Sequence, residues 1–253
     1  MTPHLSIITG ASRGLGLALA CALLARGHRV LAISRQPVVL DVPADAELLH
    51  WPADLADAAP TAASLHDWLV HQDGNQPASA TLINNAGVIS EPAPLSEGES
   101  ADLGRALRVG LEAPMLLTAA FLKATSGWAG PRKVVFVSSG LGRRAMAGSA
   151  AYCAAKAGLD HLARALALEE AVKGNGARVV SLAPGVIDTD MQVQLRSANP
   201  LRFAEQARFQ ALHDQGHLDT PTLAAAKLLA YVDRPDFGAN PVADVRDPPA
   251  VRA

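Results

Sequence analysis

The run L-S-I-I-T-G-A-S-R-G-L-G-L-A-L-A, residues 5–20, passes from a short apolar stretch through three glycines into a row of strong helix formers. Gly10 allows a tight turn, Gly14 lets the backbone approach a bound group closely, and Gly16 lets the new helix pack against the strand. Free N–H groups and the dipole at the start of that helix attract an anion, so the turn reads as a phosphate cradle. Ser12, Arg13 and Leu15 share the loop and are candidate contacts with the three glycines. The spacing is G-x-x-x-G-x-G rather than the commoner G-x-G-x-x-G, yet strand, turn and helix fall in the order that dinucleotide binding requires.

Beyond this unit the same alternation continues. Apolar β-type runs at 5–9, 29–34, 47–51, 80–84, 133–138 and 177–182 are separated by helical patterns at 14–27, 57–71, about 97–125 and 150–173, with a last helix near 221–232 and a short last strand at 242–244. Such alternation predicts an α/β fold, a single doubly wound parallel sheet of Rossmann type spanning residues 1–253. Its strands are apolar throughout, as a sheet covered on both faces demands. One segment breaks the rhythm: residues 188–220 are polar, contain Asn199-Pro200 and carry only a weak helical pattern. Placed after the carboxyl end of a strand, it reads as a substrate lid, or else as a surface excursion.

The end of the second strand bears on which dinucleotide is bound. The chain reads I-S-R-Q there, which sets Arg35, with Arg13 from the glycine loop, where a 2′-phosphate would lie, in place of an acidic residue for a free 2′-OH. The expected cofactor is NADP(H). Asp54 and Leu55, after the third strand, are candidates to cap the adenine. The turn Asn84-Asn85-Ala86-Gly87 is a candidate cofactor wall, although Asn and Gly also favour turns on their own account.

Composition narrows the partners. The 253 residues are 49% hydrophobic and 18% charged with a formal net charge of −2, so there is no basic stripe for nucleic acid, and a small molecule is the expected partner. Two cysteines, Cys21 and Cys153, make neither a disulfide framework nor a zinc site; buried or half-buried free thiols in a reducing cytoplasm are expected, and no metal. The N-terminus does not read as a leader, and no run of about 18 apolar residues predicts a membrane span. The tail from Arg234, rich in Pro and Asp, predicts loosely held final residues.

In A-A-Y-C-A-A-K-A-G-L-D, from Ala150, Tyr152 and Lys156 stand four residues apart on one helix face, just after Ser138-Ser139 ends a strand. A phenol near pKa 10 becomes a useful acid–base group when a cation such as Lys156 lowers it. Tyr152 then protonates a carbonyl oxygen that Ser139 holds, with Ser138 as the alternative. Together with T-G-A-S-R-G-L-G (9–16), N-N-A-G (84–87) and Pro184-Gly185 followed by Thr189, these residues make the chain resemble the short-chain dehydrogenase/reductase family over nearly its whole length.

That resemblance implies that Ser139, Tyr152 and Lys156 are catalytic, with Lys156 also binding the nicotinamide ribose. It further implies that Pro184, Gly185, Ile187, Thr189 and Met191 lie along the nicotinamide, and that the protein is a homodimer or homotetramer joined through the helices near 97–125 and 150–173. One family mark is missing. R-V-G-L-E-A-P places Gly110 where an Asn usually supports a proton relay to the lysine. The glycine either leaves room for a water or a kink that preserves the relay, or marks a weakened enzyme or an NADP(H)-binding sensor.

Within the family, L-A-P-G-V-I-D-T-D-M-Q (182–192), H-D-Q-G-H-L (213–218), A-A-K-L-L-A-Y-V (225–232) and V-A-D (242–244) resemble the sepiapterin reductase and benzil reductase subgroup. This implies reduction of one carbonyl of a vicinal dicarbonyl or a pterin side chain, with Ser139, Tyr152 and Asp244 touching substrate. A broad ketone reductase or alcohol dehydrogenase is the alternative, and with 4% aromatic residues a pocket for stacking a pterin is not evident.

Overall fold

A computed structural model of the chain describes residues 4–75 and 77–250. Seven strands, β1 (Leu5–Thr9), β2 (Arg29–Ser34), β3 (Glu47–Pro52), β4 (Ala80–Asn84), β5 (Arg132–Val137), β6 (Arg178–Ala183) and β7 (Val242–Asp244), form one sheet in the order β3-β2-β1-β4-β5-β6-β7. Every pairing is parallel. The order reverses between β1 and β4, which opens a crevice at the carboxyl ends of these two strands.

Helices cover both faces because the strands are apolar on both. α1 (Gly14–Leu24) and α8 (Pro221–Val232) pack on one face with Ile8, Val135, Val180 and Leu182. On the other lie α2 (Ala59–Val70), α4 (Ala113–Ala124) and α5 (Ala150–Ala171), around Ile7, Leu82, Phe121 and Phe136. Burial of this apolar surface is the main stabilising contribution, at about 25 cal/mol per Å².

Two expectations need correction. The single helix expected over 97–125 is divided into α3 (Ser100–Leu107), a π-helical turn (Arg108–Glu112) and α4. Pro114 supplies the reason: it has no N–H to donate, and in an unbroken α-helix its ring would clash with the carbonyl of residue 110, so the ladder widens there. Cys21, expected in the interior, is exposed, because α1 buries Leu15, Leu19, Leu23 and their neighbours and turns Cys21 outward; Cys153 is half-buried.

The polar stretch after β6 is ordered by two short helices, α6 (Asp190–Arg196) and α7 (Gln206–Asp214). They enclose a small core of their own in which Phe203 stacks on Phe209 beside Leu195, Leu141, Met146 and Ile89. Arg202 fastens the stretch to the loop after β4 by ion pairs with Glu91 (2.7 Å) and Glu97 (2.8 Å). Its two ends meet at a parallel bridge between Ile187 and Asp219. The C-terminal tail is tied down through residue 250 by Arg234, which bonds the carbonyls of Asp247 and Pro248, and by Asp236, which accepts from the Ala250 N–H. The last three residues, where a loose end is expected, lie outside the described residues.

Candidate active site

A cleft of about 1070 Å³ runs along the carboxyl ends of the strands, from Arg35 and Asp54 at one end to Asp244 at the other. Most of the residues singled out in the sequence line it: Gly10, Ser12, Arg13, Gly14, Leu15, Gly16, Arg35, Asp54, Leu55, Asn85, Ala86, Gly87, Ser138, Ser139, Tyr152, Lys156, Pro184, Gly185, Ile187, Thr189, Met191 and Asp244. Asn84, expected in the cofactor wall, is instead buried beneath it and its amide donates to the Thr118 hydroxyl (3.1 Å).

The glycine loop is shaped by its neighbours as much as by its own sequence. Gly10 and Gly14 adopt positive φ (67° and 53°), which a side chain would resist. A β-carbon on Gly16 would lie 2.1 Å from the Gly10 carbonyl oxygen, so no other residue fits. Asn85 clasps the loop: its amide donates to the carbonyls of Thr9 (2.9 Å) and Gly10 (3.2 Å), while the backbone N–H groups of Asn85 and Ala86 donate to the Thr9 hydroxyl. The Asn-Asn-Ala-Gly turn thus braces the loop as well as walling the cleft. Arg13, the residue before α1, offers no side-chain cap, and the first turn holds no acidic residue. The N–H groups there remain open to an anion, which is the environment a pyrophosphate needs.

At the β2 end, Arg35 is exposed on the cleft wall. Arg13 is engaged differently from expectation, in an exposed ion pair with Asp190 of α6 (2.6 Å) that spans the cleft from the glycine loop to the base of the polar stretch. Asp54 closes a tight turn by accepting from the Ala56 N–H, and Leu55 beside it is buried.

Ser139 and Ser138 are separated by the alternation of the strand end. Both line the cleft, but the Ser138 hydroxyl donates to buried Asp160 (2.6 Å) and is committed there. Ser139, which caps a short 3₁₀ turn (Gly140–Gly142) and accepts from the Leu141 N–H, faces the cleft beside Tyr152. Lys156 is buried, donates to the Val137 carbonyl (2.7 Å) and lies 5.4 Å from the centre of the Tyr152 ring. Burial pulls the Lys156 ammonium down to about 8, against the carboxylate of Asp160, which raises it.

Lowering of the Tyr152 phenol by Lys156 is not what prevails here. Burial pushes it up to about 12, and the Ser139 hydroxyl only partly opposes this. The phenol is therefore held protonated at neutrality, in the form that can give a proton to a carbonyl oxygen.

Sequence reasoning did not find several residues that share the cleft. Gln192, Leu195 and Phe209 enter from α6 and α7, Arg246 from beyond β7. Gln192 follows Thr189 by one helical turn, a signal hidden by the weak periodicity of the stretch. Asp160, one turn beyond Lys156, accepts from Ser138, Ser181 (2.6 Å) and Arg143 (3.2 Å), and its i,i+4 spacing to the lysine was readable. Asp244 is not free: Arg246 engages both its carboxylate oxygens at 2.7 Å and holds its carboxyl below the ordinary range. Gly110 is buried against α5 in the π-helical turn. Among the described residues no group of three His, Cys, Asp or Glu side chains is placed to hold a metal, and no helix is long and apolar enough to cross a membrane.

Residues 5–200 match the family model of the short chain dehydrogenases. A benzil reductase ((S)-benzoin forming) of Bacillus subtilis is 34% identical over 231 residues, which cover 91% of this chain and 94% of that protein. A sepiapterin reductase of Rattus norvegicus is 31% identical, with 95% of each chain covered. Among solved structures, a candidate 2-deoxy-D-gluconate 3-dehydrogenase of Agrobacterium tumefaciens with bound NADP superposes with a TM-score of 0.75 at 26% identity, over 96% of this chain and 94% of that one.

Proposed function

Because this chain belongs to the short-chain dehydrogenase family, we propose that it is an NADPH-dependent carbonyl reductase acting on vicinal dicarbonyl compounds. The observation that carries the reading is the convergence of Ser139, Tyr152 and Lys156 in one cleft with an uncapped, glycine-built helix start. When bound, NADPH supplies the hydride that the substrate carbonyl carbon receives. The Ser139 hydroxyl orients the carbonyl oxygen, and Tyr152, kept protonated by burial, donates its proton to that oxygen as negative charge develops. Lys156, anchored on the Val137 carbonyl, sets the charge beside the phenol and is placed to hold the nicotinamide ribose.

Arg35, exposed at the end of β2, and Arg13, which can exchange Asp190 for a phosphate, support NADPH over NADH. Gly10, Ser12, Gly14, Leu15, Gly16, Asp54, Leu55, Asn85, Ala86, Gly87 and residues 184–191 form the remaining cofactor contacts. Residues 188–220 serve as the lid over the substrate. The pairing of Asp244 with Arg246 favours a dicarbonyl over a pterin, since a pterin ring seeking that carboxylate would compete with a guanidinium already in place. Exposed Met115 on α4 and Leu168 on α5 fit a homo-oligomer built through these helices.

The test is NADPH consumption with benzil, diacetyl, sepiapterin and simple ketones, with Tyr152→Phe as the control. Turnover of dicarbonyls that the variant loses supports the reading. Tight NADPH binding without turnover on any carbonyl would instead support a sensor.

A further inference from the structure

Gln192 is the one residue on the inward face of α6, apart from Leu195, that is buried, and it is polar. It is 8% exposed, lines the cleft, and its Oε1 is buried with no hydrogen-bond partner among the described residues. Its helix neighbours Met191 and Leu195 belong to the apolar cluster of Tyr152, Leu141, Phe209 and Ile89, which lies against the same cleft. A buried amide oxygen left without a donor destabilises the fold, so a protein keeps one where a ligand completes it. The amide can turn to present either its carbonyl or its NH₂ to that ligand.

We propose that Gln192 is a specificity-determining residue that recognises a second oxygen on the carbon next to the reacting carbonyl. Ser139 and Tyr152 serve the first oxygen, and the Gln192 amide serves the second. Its NH₂ donates to the neighbouring carbonyl of a vicinal dicarbonyl, and after reduction its Oε1 can accept from the hydroxyl of the α-hydroxy ketone. The apolar cluster that Met191 and Leu195 join beside the cleft accepts bulky hydrocarbon or aryl groups flanking the two oxygens. A monoketone of the same shape leaves the amide unpaired, and sites built around a hydrogen bond reject such analogues far more strongly than sites built on shape alone. This inference rests on the carbonyl reductase reading and assigns a substrate feature within it.

The experiment compares benzil with deoxybenzoin, which keeps both rings and lacks the second oxygen, in wild type, Gln192→Leu and Gln192→Glu. Wild type is expected to favour benzil by about 100-fold or more in kcat/KM, on the scale of one buried polar pairing. In Gln192→Leu the benzil value falls at least about tenfold while deoxybenzoin stays within about twofold, so the preference collapses. Gln192→Glu, which cannot donate to a carbonyl, also loses benzil preference. An unchanged ratio, or an equal loss on both substrates, overturns the inference and leaves Gln192 a packing or cofactor residue.

Calorimetric titration of benzil into NADP⁺-loaded protein, where no turnover occurs, separates the two readings. If wild type reduces neither ketone, the reductase reading fails by itself. Benzil binding that Gln192→Leu weakens at least about tenfold, a loss of about 1.4 kcal/mol, still upholds the inference. Equal binding by the two proteins, or none by wild type, overturns it.

Discussion

A β-carbon placed on Gly110 would stand 3.1 Å from the β-carbon of Ala155, so the helix that carries Tyr152 and Lys156 packs directly on the backbone of the π-helical turn. The position at which the family resemblance predicts an asparagine is a point of close approach between two helices.

Gly110→Asn is therefore expected to harm the protein rather than restore a relay. In an open helix, replacing glycine would gain about 1 kcal/mol. Crowding against Ala155 reverses the sign, with overpacking of about 1–3 kcal/mol and a melting temperature lower by about 2–4 °C per kcal/mol. Thermal melts of Gly110→Ala and Gly110→Asn decide it, and a rise in melting temperature for either would show that α5 yields freely.

Tyr152→Phe should cut carbonyl reduction by about 10²–10⁴-fold, the usual share of a positioned acid, while NADPH binding read by fluorescence is retained. The phenol at about 12 stays protonated across the working range, so it sets no limb there. Lys156, at about 8, loses its charge as pH rises. The kcat/KM for reduction is thus expected to be level below pH 8 and to fall above it, and a profile rising through that range would contradict the assignment.

Asp160 faces Lys156 from one turn along α5 and raises its pKa, while Arg143 and the Ser138 and Ser181 hydroxyls hold the carboxylate. Asp160→Asn removes that negative charge, so Lys156 should deprotonate earlier and the alkaline fall in kcat/KM should move to lower pH. Loss of stability alone would leave the profile in place. Measuring kcat/KM against pH for both proteins at a temperature well below unfolding distinguishes the two.

Arg35→Ser should lower the ratio of NADPH to NADH efficiency at least tenfold, about 1.4 kcal/mol, mostly through NADPH. Arg13→Ser should have a smaller effect, because its guanidinium is shared with Asp190. Steady-state KM values for both coenzymes report this, and a wild-type enzyme indifferent to the coenzyme would end the argument from these two arginines.

What the sequence disclosed follows from how local each signal is. The glycine loop, Ser139, Tyr152 and Lys156 lie in short patterns whose spacing alone places them at strand ends and on one helix face. The π-helical turn was missed although Pro114, four residues after Gly110, is a local signal that the α-helical ladder must widen or break there. Its place in the motif selects Ser139 over Ser138, and the structure adds the physical reason: the Ser138 hydroxyl is committed to Asp160. Cys21 was misjudged because α1 is apolar nearly all round, so periodicity does not mark its outer face. Gln192 and Phe209 escaped because a polar segment that packs on a few aromatic anchors shows no repeating stripe.

The bridge between Ile187 and Asp219 brings the two ends of the excursion together, reinforced by the Asp188 N–H on the Asp219 carbonyl and by Lys227 on the Asp219 carboxylate. A span whose ends are pinned side by side can change length with little effect on the sheet, since closing a longer loop costs only a logarithmically growing entropy. Ile187 and Lys227, on the scaffold, hold Asp219 at the excursion's end, so an exchanged excursion that keeps an acidic residue there keeps the clasp. The chain is thus organised as a cassette: a constant platform carrying the glycine loop, Ser139, Tyr152 and Lys156, and an excursion in which new side chains can be tried without rebuilding what lies beneath.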